Sequence, residues 1–266
     1  MRHNRIGSIL MAGVMIAALV APQAALAATI KLSGSTTLLP LAQVWASAYH
    51  KKHSSTDIIV TGGGSGVGFT DVRDGKVDIG MSSREPNPGT FETGFTKYRV
   101  ARDAVAVIVN PGNTRRHLTA AQVKGIFTGT ITNWKQLGGD NASIILCGRT
   151  GASGTYAYFK SALLGGSKQS SRTKTYASNG MVRSAVARQK YAVGYMSIGY
   201  LNASIRATYI DNVLGSLSNA KSGKYPYVRP LYFLTNGSVP STVSNFIKWC
   251  ESAAGQALAT KEYLHR

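Results

Sequence analysis

Between Thr29 and Met196, short apolar runs of strand length alternate with stretches whose apolar residues recur at helical spacing. That alternation restricts the chain to a mixed α/β architecture. Strands are expected at residues 29–32, 58–60, 77–81, 104–109, 144–146 and 192–196. The clearest helix is 38–52, where Leu38, Leu41, Val44, Trp45, Ala48 and Tyr49 form one face. Further helices are expected at 66–73, at 119–127 with Thr119 as cap, at 156–164 closed by Gly165-Gly166, at 181–189 and at 241–263.

The first 27 residues read as an export signal rather than as part of this pattern. Arg2 and Arg5 precede an apolar stretch, residues 6–20, and Ala25-Leu26-Ala27 is a small-residue cleavage site. Cleavage near Ala27 leaves a periplasmic chain that starts at Ala28. No Cys stands there to carry a lipid anchor. Cys147 and Cys250 are far apart, and spacing alone does not decide between a disulfide and two buried thiols.

Charge adds a second constraint. Lys and Arg total 30 against 11 Asp and Glu, so the formal net charge is +19. Residues 109–225 hold 15 basic and two acidic side chains, Asp140 and Asp211. Such asymmetry suggests two lobes with different surfaces. Export excludes nucleic acid as the expected partner, although anions in general remain candidates.

Three loops share one design, with hydroxyl residues and glycine directly before a helix: Ser33-Gly34-Ser35-Thr36-Thr37, Gly62-Gly63-Gly64-Ser65-Gly66, and Ala152-Ser153-Gly154-Thr155. A helix start leaves backbone N–H groups unpaired, and its dipole favours negative charge. Hydroxyls add rotatable donors, so such a terminus suits an oxyanion. Arg149, four residues before Ser153, would add a planar charged fork. Each loop alone reads more readily as an ordinary cap; three in one chain, with Arg149 beside the third, carry more weight.

Motifs for other chemistry are missing. No window fits G-x-G-x-x-G, G-x-x-x-x-G-K-[ST], G-x-S-x-G or H-E-x-x-H, and acids are too few to form a catalytic carboxylate pair readily. No catalytic residue, metal or cofactor is expected.

Together, Ser33-Gly34-Ser35-Thr36-Thr37 with Pro40, Gly62-Gly63-Gly64-Ser65-Gly66, Val77-Asp78-Ile79-Gly80-Met81-Ser82-Ser83-Arg84, Ile126-Phe127-Thr128-Gly129-Thr130-Ile131-Thr132-Asn133-Trp134 with Leu137-Gly138-Gly139, Ser153-Gly154-Thr155, and Ala192-Val193-Gly194-Tyr195-Met196-Ser197 resemble the PstS-type periplasmic phosphate-binding protein family. Order and spacing match nearly the whole mature chain, and the Phe-Thr-Gly…Asn-Trp stretch is the most specific. The resemblance implies a type II periplasmic-binding-protein fold, two α/β lobes joined by two crossover strands. Lobe I would be residues 28–108 with 226–266, and lobe II residues 109–225. The crossovers would lie near 107–110 and 227–233.

The resemblance further implies a monomeric binding protein, not an enzyme, that captures inorganic phosphate and delivers it to a membrane ABC permease. Its ligand residues would be Thr36, Thr37, Ser65, Ser83, Arg149, Ser153, Gly154 and Thr155, with Ser35 and Arg84 as additional candidates. Arg84 would either add a second positive charge or pair with Glu85 or Asp71. Well-known members carry Asp at the Ser83 position and at that of Gly151, so another oxyanion such as sulfate or a phosphonate is the nearest alternative. A basic surface protein holding polyanions is the next.

Overall fold

A computed structural model describes residues 28–266; the expected export signal lies outside the described residues. In chain order the elements are β1 (Ala28–Gly34), α1 (Leu39–His50), β2 (Thr56–Val60), α2 (Ser65–Arg73), β3 (Ile79–Ser82), β4 (Thr96–Val109), β5 (His117–Leu118), α3 (Ala120–Thr128), β6 (Ile145–Arg149) and α4 (Gly154–Ala162). They continue as β7 (Lys174–Tyr176), α5 (Asn179–Ala187), β8 (Ala192–Ser197), β9 (Arg206–Ala207), β10 (Tyr209–Ile210), β11 (Val213–Leu214), α6 (Leu217–Lys221), β12 (Val228–Thr235), α7 (Ser241–Glu251) and α8 (Ala253–Ala259).

The main sheet runs β2-β1-β3-β12-β4-β8-β6-β7, with β9 also on β4. Strand β1 is parallel to β2 and β3, and β6 is parallel to β7 and β8. Between these groups lie β12, antiparallel to β3 and β4, and β4, antiparallel to β8. Strand β4 changes partner along its length: residues 96–104 pair with β12, and 105–109 with β8.

Two apolar cores flank this change of partner. One gathers Ile30, Leu32, Trp45, Ile79, Met81, Phe233 and Phe246. The other gathers residues 104–109, Phe127, Trp134, Phe159 and Tyr195. Cys250 lies in the first core and Cys147 in the second; both are free thiols. Burial pushes both thiols up, Cys147 to about 11.

Helix α1 buries Leu41, Trp45 and Tyr49 as the spacing predicts, whereas Val44 is 47 % exposed. The expected helix 241–263 is two helices. Ser252 leaves the helical conformation and its hydroxyl caps α8 by accepting the Gly255 N–H. Trp45 Nε1 donates to the Gly255 carbonyl at 2.8 Å, which fixes α8 against α1. Strand β4 begins well before the apolar run, because backbone pairing with β12 orders the polar segment Thr96-Lys97-Tyr98-Arg99.

In both parallel groups the carboxyl ends of the strands lead into the loops singled out above. β1 leads to Ser35-Thr36-Thr37, β2 to the glycine loop, β3 to Ser83, and β6 ends at Arg149. Crevices at the carboxyl ends of open α/β sheets are the usual place for a ligand.

Candidate functional site

Thr36, Thr37, Ser65, Ser83, Arg149, Ser153 and Thr155 are all buried, although they come from loops attached to different cores. Arg149 is 1 % exposed. Its Nη2 donates to Thr36 Oγ1 at 3.0 Å and to the Ala177 carbonyl at 2.9 Å. Its Nε donates to the Tyr176 carbonyl at 3.1 Å, and its Nη1 reaches Thr155 Oγ1 at 3.4 Å. Thr37 Oγ1 lies 3.2 Å from Thr155 Oγ1. The Tyr200 and Tyr263 hydroxyls hold the first loop by donating to the Thr36 and Thr37 carbonyls.

A second contact joins the glycine loop to the Arg149 side of the cleft. Ser65 Oγ accepts the Ser83 N–H at 3.0 Å and meets Ser83 Oγ at 3.3 Å. A Cβ built on Gly154 would collide with Ser65 Oγ and stand 2.7 Å from Ser83 Oγ. Gly64, at φ +104°, would bring a Cβ within 2.7 Å of the Ala152 carbonyl, which the Gly66 N–H meets at 3.0 Å. Glycine at 64 therefore serves the approach of one loop to the other.

The remaining candidates divide. Ser153 Oγ caps α4 by accepting the Tyr156 N–H at 3.2 Å, which leaves its own proton free. Ser35 Oγ is buried without a hydrogen-bond partner among the described residues. Arg84 is not brought to the cluster. Its guanidinium forms a bidentate pair with Glu92 at 2.6 and 2.7 Å, and it stacks on Phe69. Neither carboxylate expected to hold it does so: Asp71 accepts from Ser33, and Glu85 from Lys97 and Tyr232. The one-turn segment Phe91–Gly94 carries Glu92 back to Arg84, a contact invisible to local spacing.

Three residues at the centre escaped the sequence reading. Arg229, from β12, is 1 % exposed and Asp103, from β4, is fully buried. Arg229 donates to Asp103 Oδ2 through Nε at 3.1 Å and Nη2 at 2.8 Å. The same Nη2 reaches Thr37 Oγ1 at 2.8 Å and Thr155 Oγ1 at 3.1 Å. Asn179, the first residue of α5, donates to Thr36 and Thr37. A charged residue within an otherwise buried strand was the available signal for Asp103 and Arg229. Asn179 offered none, since an Asn after a capping Ser is ordinary.

The charge balance follows. Two guanidiniums and one carboxylate are buried together, and among the described residues no carboxylate bonds Arg149. Burial, aided by the nearby Arg229 charge, draws Arg149 down to about 10, so it remains protonated at neutral pH. Burial pushes the Asp103 carboxyl up, against the pull of Arg229 and Ser197. One buried positive charge therefore has no protein counter-ion. An isolated buried charge is strongly unfavourable, and a small anion that accepts hydrogen bonds would relieve it.

Comparisons with known proteins bear on the family and the fold. Residues 19–253 match the PBP superfamily domain. The chain is 31% identical over 227 residues to the phosphate-binding protein PstS of Bacillus subtilis, covering 84% of this chain and 75% of that protein. It is 30% identical to PstS of Pseudomonas aeruginosa, covering 86% and 80%. Among solved structures, a phosphate ABC transporter substrate-binding protein of Clostridium perfringens with bound phosphate superimposes with a TM-score of 0.85 at 30% identity, over 90% of this chain and 99% of that one. An ABC-type phosphate transport receptor of Vibrio cholerae gives 0.74 at 29% identity, over 90% and 100%. These relatives are binding proteins. The chain thus belongs to the PBP superfamily and, within it, to the PstS family of phosphate-binding proteins.

Proposed function

We propose that this chain captures inorganic phosphate in the periplasm by closing two lobes on it and passes it unchanged to a membrane ABC permease. The observation that carries this reading is the buried positive charge at Arg149, ringed by hydroxyls from loops of both cores. Phosphate in the names and structures of the relatives supports the choice of anion. We take the lobes as residues 28–108 with 226–266 and residues 109–225, except that residues 104–108 pack in the second core, which puts the crossing inside β4 a few residues before 108. Among the described residues no helix is long and apolar enough to cross a membrane. The reading of residues 1–27 as an export signal supports the compartment.

Binding without reaction suits a cluster of donors that holds no activated nucleophile. A basic surface that holds polyanions would make no use of Arg149, so it leaves the buried guanidinium and the hydroxyls around it without a role. Calorimetry on the phosphate-stripped mature protein tests the reading. A micromolar or tighter dissociation constant is expected, about −8 kcal/mol or better. No heat with phosphate up to the millimolar range would defeat it.

Closure itself has a test at Gly154. A Cβ there would meet Ser65 Oγ and keep the loops apart. Overpacking of this kind costs about 1–3 kcal/mol, so Gly154→Ala is expected to weaken phosphate binding roughly 5- to 150-fold. The thermal midpoint of the ligand-free protein is expected to stay near that of the parent. Unchanged affinity in a calorimetric titration would show that these loops need not meet.

A further inference from the structure

A pocket of about 390 Å³ lies on the second core and shares no lining residue with the Arg149 cluster. Residues 201–203, 205–207 and 214–216 line it together with Arg116. Leu201, Ile205 and Leu214 supply apolar surface, and Ile205 is itself part of that core. Arg116 and Arg206 supply charge. Both arginines are held in place. Strand β9 sets Arg206 opposite Val109 on β4. Arg116 Nη2 donates to the Ala207 carbonyl at 3.2 Å, and its guanidinium stands 5.7 Å from the centre of the Tyr209 ring.

The polar side chains of this pocket have donors to spare. Among the described residues no carboxylate pairs with Arg116 or Arg206. The two acids of residues 109–225 are engaged elsewhere: Asp140 pairs with Lys190, and Asp211 accepts the Ala120 N–H. Arg116 Nε is buried without a hydrogen-bond partner among the described residues, so part of this charge has lost water and gained no acceptor. Asn202 Oδ1 accepts the Ser204 N–H at 3.0 Å and the Ser204 hydroxyl at 2.6 Å, which leaves the amide NH2 to donate. Ser216 Oγ accepts the Asn219 N–H at 3.3 Å, which leaves its own proton free.

We propose that this pocket is a second anion site that takes a small organic acid, a carboxylate or phosphate head on an apolar body. The head meets Arg116 and Arg206, with Asn202 and Ser216 as neutral donors, and the body covers Leu201 and Leu214. A guanidinium fork matches two oxygens of either head. An apolar lining with a few placed polar groups, at this volume, suits a small molecule. A bare inorganic ion would leave the leucines in water, so the apolar body is part of the recognition. The phosphate-binding reading of the cleft uses none of these residues, and the two sites stand or fall separately.

The test is an NMR titration of the mature protein in saturating inorganic phosphate, which keeps the cleft filled. Benzoate probes the carboxylate head, phenyl phosphate the phosphate head, and benzyl alcohol the body without charge. Saturable amide shifts at residues 201–207 and 214–216 are expected with at least one acid, at a dissociation constant of about 0.1–1 mM. Benzyl alcohol is expected to bind at least about tenfold more weakly. Arg116→Gln with Arg206→Gln is expected to weaken the acid about tenfold, while phosphate affinity in the cleft stays within about twofold of the parent. Should that double variant fail to fold, Arg206→Gln alone, at an exposed position, is expected to weaken the acid about two- to fivefold. No saturable shift with either acid, shifts confined to the cleft loops, benzyl alcohol as tight as the acids, or arginine variants that bind them unchanged would each overturn the proposal. None of these outcomes bears on phosphate in the cleft, which its own calorimetric titration decides.

Discussion

Replacing Arg149 with methionine is expected to weaken phosphate binding by roughly a hundred- to several-thousand-fold, about 3–5 kcal/mol, as when one partner of a buried charged pair is lost. The reason is the charge balance. Arg229 has Asp103 at 2.8 Å, whereas the hydrogen-bond partners of Arg149 are hydroxyls and carbonyls. Bound phosphate would be the counter-ion that Arg149 lacks. Stability is expected to respond in another way. Methionine fills similar space and removes an uncompensated charge, so the ligand-free variant should unfold within about 1 kcal/mol of the parent. Urea titration and calorimetry on one preparation check both statements. Unaltered phosphate affinity in Arg149→Met would place the anion elsewhere.

Removing Asp103 is expected to act on stability instead. Asp103 and Arg229 are both fully buried or nearly so, and the carboxylate also accepts the Ser197 hydroxyl at 2.7 Å. Asp103→Leu leaves Arg229 charged and unpaired, and breaking a buried pair in this way costs about 3–5 kcal/mol. For a chain of this size that lowers the melting midpoint by roughly 6–20 °C. Two companion measurements identify the cause. Excess phosphate should restore part of the loss, because it supplies negative charge to the same cluster. The double variant Asp103→Leu with Arg229→Met should recover much of it, since the orphaned charge is gone. A double variant no more stable than Asp103→Leu would point to lost packing.

These two arginines show where sequence reasoning reached and where it stopped. Arg149 was legible because it sits four residues before a Ser-Gly-Thr loop in a stretch with almost no acids. Arg229 sits beside Pro230 at the start of β12, far from every loop that carries a motif. Strand pairing decides its role. Residue 229 lies opposite Asp103 in the β12–β4 register, and the side chain then reaches Thr37 and Thr155. Arg84 is the opposite case: it follows a motif, yet it pairs with a carboxylate, and the partner is Glu92 rather than Glu85 or Asp71.

By itself the sequence determined the α/β alternation, the three hydroxyl loops and Arg149, because helix starts, strand runs and turn residues are local properties carried by neighbouring side chains. It also set the family resemblance. Only the tertiary structure decided that Asp103 neutralises Arg229 and leaves Arg149 alone, that Arg84 is withdrawn, and that Asn179 turns its amide toward two threonines. Each of those outcomes depends on which charges and lone pairs meet after residues many tens of positions apart are buried together, and no local pattern records that pairing.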